Sequence, residues 1–209
     1  MSEKEYWNKF YTDIVSDKHL NIPSQFAAFV LGETNDVGAI IEFGCGNGRD
    51  SAFFARHGKK VIALDLSMDG IAINKKIYSD ISNLDFEVCD VTKSLPDLGF
   101  NLDVPKSIYA RFFIHALKSD GIEKFFNNCA KLMSSGDQLF LEYRTTEDTD
   151  RIKTTAFHYR NFLDVNEVEK LLTACQLKTS YFTKGIGYAK WKDDDAFVAR
   201  HIIGLAKND

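Results

Sequence analysis

The segment AIIEFGCGNGRDS, residues 39–51, decides the fold. A run of branched apolar residues leads directly into three glycines at alternate positions, Gly44, Gly46 and Gly48. A glycine-rich turn between a strand and a helix places backbone N–H groups and a helix N-terminus against a ligand. The segment therefore predicts a ligand-binding loop at the carboxyl end of a first strand.

Apolar runs alternate with segments of helical periodicity through most of the chain. Short runs rich in branched and aromatic residues are typical of strands buried on both faces, and they lie at residues 39–44, 60–67, 85–91, 107–112 and 138–144. Helical patterns lie at residues 49–58, 68–81, 118–136 and 164–176. Ser67 is a good N-cap, and Asp164 with Glu167 has the spacing of a capping box.

This alternation predicts an α/β fold with a doubly wound, Rossmann-like, mostly parallel sheet. Two more strand-like runs, LKTSYFTKG (177–185) and AFVARHIIGLAK (196–207), are joined without a helical segment. A parallel pair usually needs a helical crossover. The predicted sheet therefore has seven strands, and its last strand is antiparallel.

Composition narrows the classes of protein to consider. The 209 residues suit a single domain over residues 1–209, and a net charge of -4 disfavours nucleic acid and anionic membranes as partners. No apolar run approaches the length of a membrane span, and the start, MSEKEYWNKFYTD, lacks the apolar region of a secretion signal. The four cysteines are scattered singly, which predicts no metal site and favours a reducing cytoplasm.

Three ligands compete for the glycine loop. A nucleotide-binding Walker loop needs Gly-Lys-Ser/Thr, but Gly48 is followed by Arg49. A dinucleotide fingerprint needs G-x-G-x-x-G, whereas the spacing here is G-x-G-x-G, and Glu42 would repel a pyrophosphate. Glu42 instead favours the cationic aminoacyl group of S-adenosylmethionine. Asp65 and Asp90, at the ends of the next two predicted strands, offer acceptors for ribose hydroxyls and an adenine amino group.

These motifs resemble those of a known family. EFGCGNGRDS (42–51), ALDLS (63–67) and CDVT (89–92) are similar to successive motifs of class I S-adenosylmethionine-dependent methyltransferases, in the branch of thiopurine- and tellurite-resistance-type enzymes. The resemblance spans almost the whole chain and implies S-adenosyl-L-methionine as cofactor and S-adenosyl-L-homocysteine as product. It assigns cofactor binding to Glu42, Gly44, Cys45, Gly46, Asp65, Leu66, Asp90 and Val91.

Basic residues follow the fourth and fifth predicted strands, in YARFFIHAL (109–117), LEYRTTED (141–148) and FHYRN (157–161). Guanidinium groups bind phosphate and carboxylate bidentately, so these segments predict an anion-binding pocket for the methyl acceptor. Arg111 and His115 are the predicted catalytic residues, with His115 as the base for a hydroxyl acceptor. The predicted acceptor-binding residues are Arg144, His158, Tyr159 and Arg160.

Structural roles remain open for several of these side chains. Arg111 could instead be the buried partner of Glu142, and His115 could be a core histidine. Residues 145–163 are predicted to form an acceptor-side excursion, and residues 193–195 a solvated loop. Residues 1–30 are predicted to form a helical lid. Aromatic residues that could cover the site are Tyr6, Trp7, Phe10 and Tyr11 near the start and Tyr188 and Trp191 near the other end.

The acceptor-side pattern is also similar to methyltransferases associated with bacterial surface-polysaccharide synthesis. That resemblance implies O-methylation of a small anionic acceptor, bearing phosphate or phosphoramidate, or of a sugar-linked one. Two other functions stay open: an oxidoreductase that uses a nicotinamide dinucleotide, and a non-catalytic partner subunit with the methyltransferase fold. The glycine spacing and Glu42 weigh against the first, and the intact cofactor motifs weigh against the second.

Overall fold

The structure is a computed structural model that describes residues 22–34, 36–93, 105–153 and 159–206. Its strands are β1 (Ala39–Phe43), β2 (Lys60–Asp65), β3 (Leu84–Val88), β4 (Lys106–Arg111), β5 (Gln138–Arg144), β6 (Leu177–Gly185) and β7 (Val198–Leu205). Its α-helices are α1 (Gln25–Glu33), α2 (Arg49–Arg56), α3 (Met68–Ile77), α4 (Ser119–Leu132) and α5 (Val165–Ala174). Two short 3-10 helices span Ile114–Ala116 and Thr146–Asp148.

The seven strands form one sheet in the order β3-β2-β1-β4-β5-β7-β6. Strands β1 to β5 pair in parallel, whereas β7 runs antiparallel to both β5 and β6. The predicted seven-stranded fold with an antiparallel last strand is therefore confirmed. The order reverses between β1 and β4, and such a switch point opens a crevice at the carboxyl ends of the strands.

Two apolar cores cover the two faces of the sheet. One contains Phe125 of α4 and Leu172 of α5, and the other contains Phe26 of α1 and Phe54 of α2. All five residues of β1 are buried, as expected for a central strand covered on both faces. Within the described ranges, none of the helices has the length and apolar character needed to cross a bilayer.

The predicted starts of the helices agree with the structure better than the predicted ends of the helices and strands do. Ser67 caps α3 by accepting the Gly70 N–H at 3.1 Å. Asp164 caps α5, but the Glu167 side chain pairs with Lys170, so only half of the predicted capping box forms. The third strand is also shorter than predicted, because β3 stops at Val88 and leaves residues 89–91 in a loop.

A single buried carboxylate joins three elements on the α1–α2 face. Asp50, in the first turn of α2, accepts hydrogen bonds from the backbone N–H and the hydroxyl of Ser24, both at 2.7 Å. It also accepts the Tyr109 hydroxyl of β4 at 2.7 Å. Because Ser24 is the N-cap of α1, Asp50 holds the start of that helix beside the glycine loop.

We expect Asp50→Ala to lower the free energy of unfolding by about 2–3 kcal/mol, because three buried donors lose their acceptor. Urea unfolding followed by circular dichroism measures this change. Asp69→Ala is the matched control, since Asp69 is an exposed acidic residue in the first turn of α3. Equal destabilisation by the two substitutions would contradict the proposed role of Asp50.

Candidate active site

The glycine loop is tied to β2 by its backbone. The N–H groups of Gly44 and Cys45 both donate to the Leu64 carbonyl, at 2.8 and 3.0 Å. The Gly46 N–H donates to the Asp65 carboxylate at 2.9 Å. The loop is therefore fixed against the carboxyl end of β2, with Asp65 as part of its support.

Gly44 must be glycine for two reasons. Its φ of +73° lies in the left-handed region, where side chains are strained. A Cβ at this position would also lie 2.5 Å from Cδ2 of Phe113. The loop and the segment after β4 therefore approach each other too closely for any side chain at Gly44.

A cavity of about 250 Å³ lies beside the loop, across the carboxyl ends of β1 to β4. Five predicted cofactor residues line it: Gly44, Asp65, Leu66, Asp90 and Val91. The remaining lining residues are Phe43, Leu64, Cys89, Thr92, Phe112, Phe113, Ala116 and Leu117. The other predicted cofactor residues, Glu42, Cys45 and Gly46, do not line the cavity.

The two cavity carboxylates are held by neighbouring donors. Asp65 accepts the N–H groups of Gly46 and Ser67, each at 2.9 Å, and burial raises its pKa. Asp90 accepts the N–H and hydroxyl of Thr92 at 3.1 and 2.6 Å. Burial acts to raise the pKa of Asp90, but the bonds from Thr92 and Lys93 outweigh it and lower that pKa.

This cavity fits the adenosyl part of the predicted cofactor. Each carboxylate oxygen can accept more than one hydrogen bond, so Asp65 and Asp90 keep acceptor capacity for ribose hydroxyls and an amino group. Leu66, Val91 and Phe113 supply the apolar walls that an adenine ring needs. No group of three or more His, Cys, Asp or Glu side chains in the described part of the chain is placed to hold a metal ion.

Glu42 lies behind the loop and is 4% exposed. Its carboxyl accepts a hydrogen bond from the Ser51 hydroxyl of α2. Burial, with the nearby charge of Asp50 as a second cause, raises the pKa of Glu42 well above its usual range. A cationic ligand beside Glu42 would act against this shift, because it favours the charged carboxylate.

The acceptor side of the sheet contains a row of three charged side chains, Arg111, Glu142 and Arg200, on β4, β5 and β7. We call it the arginine row. Arg111 Nε donates to Glu142 Oε1 at 2.8 Å, and Arg200 Nε donates to Glu142 Oε2 at 2.7 Å. The alternative that Arg111 is the buried partner of Glu142 is therefore correct as to contact. In the described part of the chain, the two terminal nitrogens of Arg111 have no hydrogen-bond acceptor.

Arg144 also lies at this edge, but its terminal nitrogens are used in ion pairs. Nη1 donates to Asp148 and Nη2 to Asp194, both at 2.7 Å. Asp194 is 4% exposed, so the prediction that residues 193–195 form a solvated loop is wrong at that position. Arg144 links the excursion after β5 to the β6–β7 loop, because its two carboxylate partners, Asp148 and Asp194, lie in those two segments.

His115 is buried in the 3-10 helix after β4. Its Nδ1 accepts the Arg144 N–H at 3.4 Å, and its carbonyl accepts the Asn161 N–H at 2.7 Å. The second contact brings the returning excursion, with Arg160 and the exposed Tyr159, beside the edge. His158, like the aromatic residues 6, 7, 10 and 11, lies outside the described residues.

Residues 40–136 match a family model described as a methyltransferase domain. The fold is similar to a TehB-like SAM-dependent methyltransferase from Corynebacterium glutamicum, with a TM-score of 0.68, 13% identity and 97% of each chain covered. It is also similar to the glycopeptide N-methyltransferase MtfA complexed with S-adenosylmethionine, with a TM-score of 0.69, 14% identity, and 88% of this chain and 95% of that chain covered. Residues 40–136 are thus similar to a methyltransferase domain, and the whole fold is similar to those of S-adenosylmethionine-dependent methyltransferases. These similarities agree with the predicted enzyme class and cofactor.

Curated relatives of the methyltransferase domain are distant. Phosphoethanolamine N-methyltransferase 1 of Triticum aestivum is 26% identical over 171 residues, covering 76% of this chain and 34% of that protein. Phosphoethanolamine N-methyltransferase 1 of Zea mays is 28% identical over 125 residues, covering 58% of this chain and 24% of that protein. The chain thus spans about a third or less of the length of the curated relatives it matches.

Three residues of the candidate site were not predicted from the sequence. Phe112 and Phe113 line the cavity, and their signal is the aromatic pair directly after the fourth strand. Arg200 completes the arginine row, and its signal is a charged residue inside the apolar run of β7. Only the pairing of β5 with β7 shows that Arg200 lies opposite Glu142.

Burial of Glu42 generates a pH-dependent prediction. A glutamate in the unfolded chain has a pKa of about 4.3, whereas the pKa of Glu42 in the folded protein is higher. Between these values the folded state binds more protons, so the free energy of unfolding falls as pH rises. Glu42→Gln has no such proton, and we expect its stability advantage over the wild type to grow from pH 4.5 towards pH 7.5.

Urea unfolding of both proteins across this pH range measures the difference. The same substitution should weaken S-adenosylmethionine binding about tenfold at pH 7.5, by isothermal titration calorimetry, because a neutral amide replaces the carboxylate. A stability difference that does not change with pH would contradict the raised pKa. Unchanged cofactor affinity would remove Glu42 from the cofactor site.

Proposed function

We propose that this protein transfers the methyl group of S-adenosylmethionine to a small acceptor that carries a phosphate or similar anionic group. The observation that carries this proposal is the charge balance of the arginine row. Two largely buried guanidinium groups, those of Arg111 and Arg200, share the single carboxylate of Glu142. A buried charge without a partner is costly, so an anionic acceptor group would stabilise this row.

Other charged side chains lie close to the arginine row. Arg49 and Asp50 lie close to Arg111, and their opposite charges, 3.8 Å apart, offset each other. Glu42 is a third acidic group nearby, buried behind the glycine loop. In the described part of the chain, Glu142 supplies the one carboxylate that contacts both Arg111 and Arg200 directly.

The other half of the proposed reaction is cofactor binding. Asp65, Asp90 and Glu42 would hold the ribose, adenine and aminoacyl groups, and bound S-adenosylmethionine supplies an electrophilic methyl carbon on a sulfonium. Phe112 and Phe113 form an apolar wall of the cavity that keeps water from the reacting atoms. Arg111, at the same edge of the sheet, would orient the acceptor through its two terminal nitrogens.

The contacts of His115 favour an acceptor atom that is already anionic. With Nδ1 accepting the Arg144 N–H, the neutral ring carries its proton on Nε2, a tautomer assigned from this contact. In that tautomer Nε2 is a donor and not a base. An anionic phosphate or phosphoramidate oxygen needs no base, which supports O-methylation of such an acceptor, including a sugar-linked one.

A second candidate reaction is methylation of an amine on a small phosphate-bearing molecule. The relatives named phosphoethanolamine N-methyltransferase favour it. It would use the arginine row in the same way, because the anionic group would bind there, but the amine would have to lose a proton. Both candidate reactions therefore require an anionic group on the acceptor, and they differ in the atom that receives the methyl group.

Acceptors in matched pairs test the shared requirement. Release of S-adenosylhomocysteine is measured with phosphoethanolamine and ethanolamine, and with sugar phosphates or phosphoramidates and the parent sugars. We expect turnover only with the charged member of each pair, and mass spectrometry of the product identifies the methylated atom. Turnover of the neutral members at equal rates would contradict the proposal.

Substitutions in the arginine row test its role. Arg111→Gln and Arg200→Gln should each raise KM for the charged acceptor about tenfold or more, because a charged hydrogen bond is lost. The dissociation constant of S-adenosylhomocysteine should change little. Arg56→Gln, on the exposed last turn of α2, is the control with the same change in net charge. A KM effect as large in this control would show that only overall charge matters.

A further inference from the structure

We infer that Phe112 is a positioning residue for Arg111 in acceptor binding, whereas the adjacent Phe113 positions the cofactor loop. The inference rests on the proposed anionic acceptor. Both rings line the same cavity, so neither burial nor sequence separates their roles. Their contacts, and the backbone conformation at Phe112, distinguish the two roles.

The backbone at Phe112 is held in a strained conformation. Its φ is +52°, in the left-handed region that bulky residues rarely occupy. Its N–H nevertheless donates to the Glu142 carbonyl at 2.8 Å, which ties this turn to β5. Strained residues persist where the surrounding structure enforces them, and they cluster at functional sites.

The Phe112 ring contacts the candidate acceptor-side residues. Its centroid lies 4.2 Å from Cζ of Arg111 and 5.1 Å from Cζ of Arg144. The His115 ring lies 5.3 Å away and is tilted against it. Because an aromatic face attracts guanidinium groups, Phe112 holds two arginines of different elements on one ring.

Phe113 makes contacts of another kind. Its ring occupies the space over Gly44, where a Cβ would lie 2.5 Å from Cδ2. It also packs against Phe43 and Phe125, with ring centroids 6.3 and 5.2 Å apart. Phe113 is therefore part of the apolar packing that fixes the glycine loop.

The contacts of Phe112 bear directly on anion binding. Arg111 uses Nε for Glu142, and the ring covers the guanidinium face, which leaves its terminal nitrogens for the acceptor. Without the ring, water would reach that face, weaken the local electrostatic attraction and let the side chain move. Loss of the ring should therefore weaken anion binding more than cofactor binding.

Inorganic phosphate is the probe, titrated by ³¹P NMR into the protein saturated with S-adenosylhomocysteine. Phe112→Leu and Phe112→Asn both remove the ring, but asparagine tolerates a left-handed backbone and leucine does not. We expect both substitutions to weaken phosphate binding by about five- to tenfold, because the cation–π contacts and the shielding are lost. Phe112→Tyr keeps an aromatic ring and should bind phosphate as tightly as the wild type. Phe113→Leu should instead weaken S-adenosylhomocysteine binding, by calorimetry, and affect phosphate less.

Other results would contradict either the inference about Phe112 or the proposed function. If only Phe112→Leu loses phosphate affinity, the strained backbone and not the ring is responsible, and the inference is wrong. If Arg111→Gln abolishes phosphate binding while both ring deletions leave it intact, the inference fails and the proposed function stands. If the wild type binds no phosphate, both the proposal of an anionic acceptor and the inference about Phe112 are wrong. Phe112→Asn keeps the test decisive if Phe112→Leu does not fold.

Discussion

The fully buried carboxylate of Glu142 is the constraint on which the acceptor half of this structure depends. It lies in β5, and the strand pairing places Arg111 of β4 and Arg200 of β7 directly opposite it. A shift of one residue in either pairing would send these side chains to opposite faces of the sheet and leave a buried charge without a partner. The register of the parallel and the antiparallel pairing is thus linked through one ionic group.

The two halves of the site are held by different interactions. Backbone hydrogen bonds to Leu64 and the carboxylate of Asp65 fix the glycine loop, and apolar packing closes it from the other side. Ion pairs hold the acceptor half, where Arg144 joins Asp148 to Asp194 and Lys184 pairs with Glu147, whose pKa falls to about 2. The cofactor half is therefore built mainly on geometry and the acceptor half mainly on charge.

This difference explains how far the sequence could predict the site. Asp65 ends β2, and Gly44 and Asp90 follow β1 and β3 within two residues, so the strand pattern alone brings them to one edge. Glu142 and Arg200 are far apart in the chain and meet only through the antiparallel pairing of β5 with β7. The sequence also cannot distinguish Arg111, whose terminal nitrogens have no acceptor among the described residues, from Arg144, whose terminal nitrogens are paired, because that depends on where Asp148 and Asp194 lie.

The position of β7 has a consequence for the order in which the protein is made. It is the last of the seven strands in the chain, yet it lies inside the sheet between β5 and β6. During synthesis at about 5–20 residues per second, β1 to β4 and the glycine loop leave the ribosome well before Arg200. The nascent chain thus completes its cofactor-binding elements first. The proposed acceptor site is complete only once β7 has paired with β5 and β6, two strands that are translated before it.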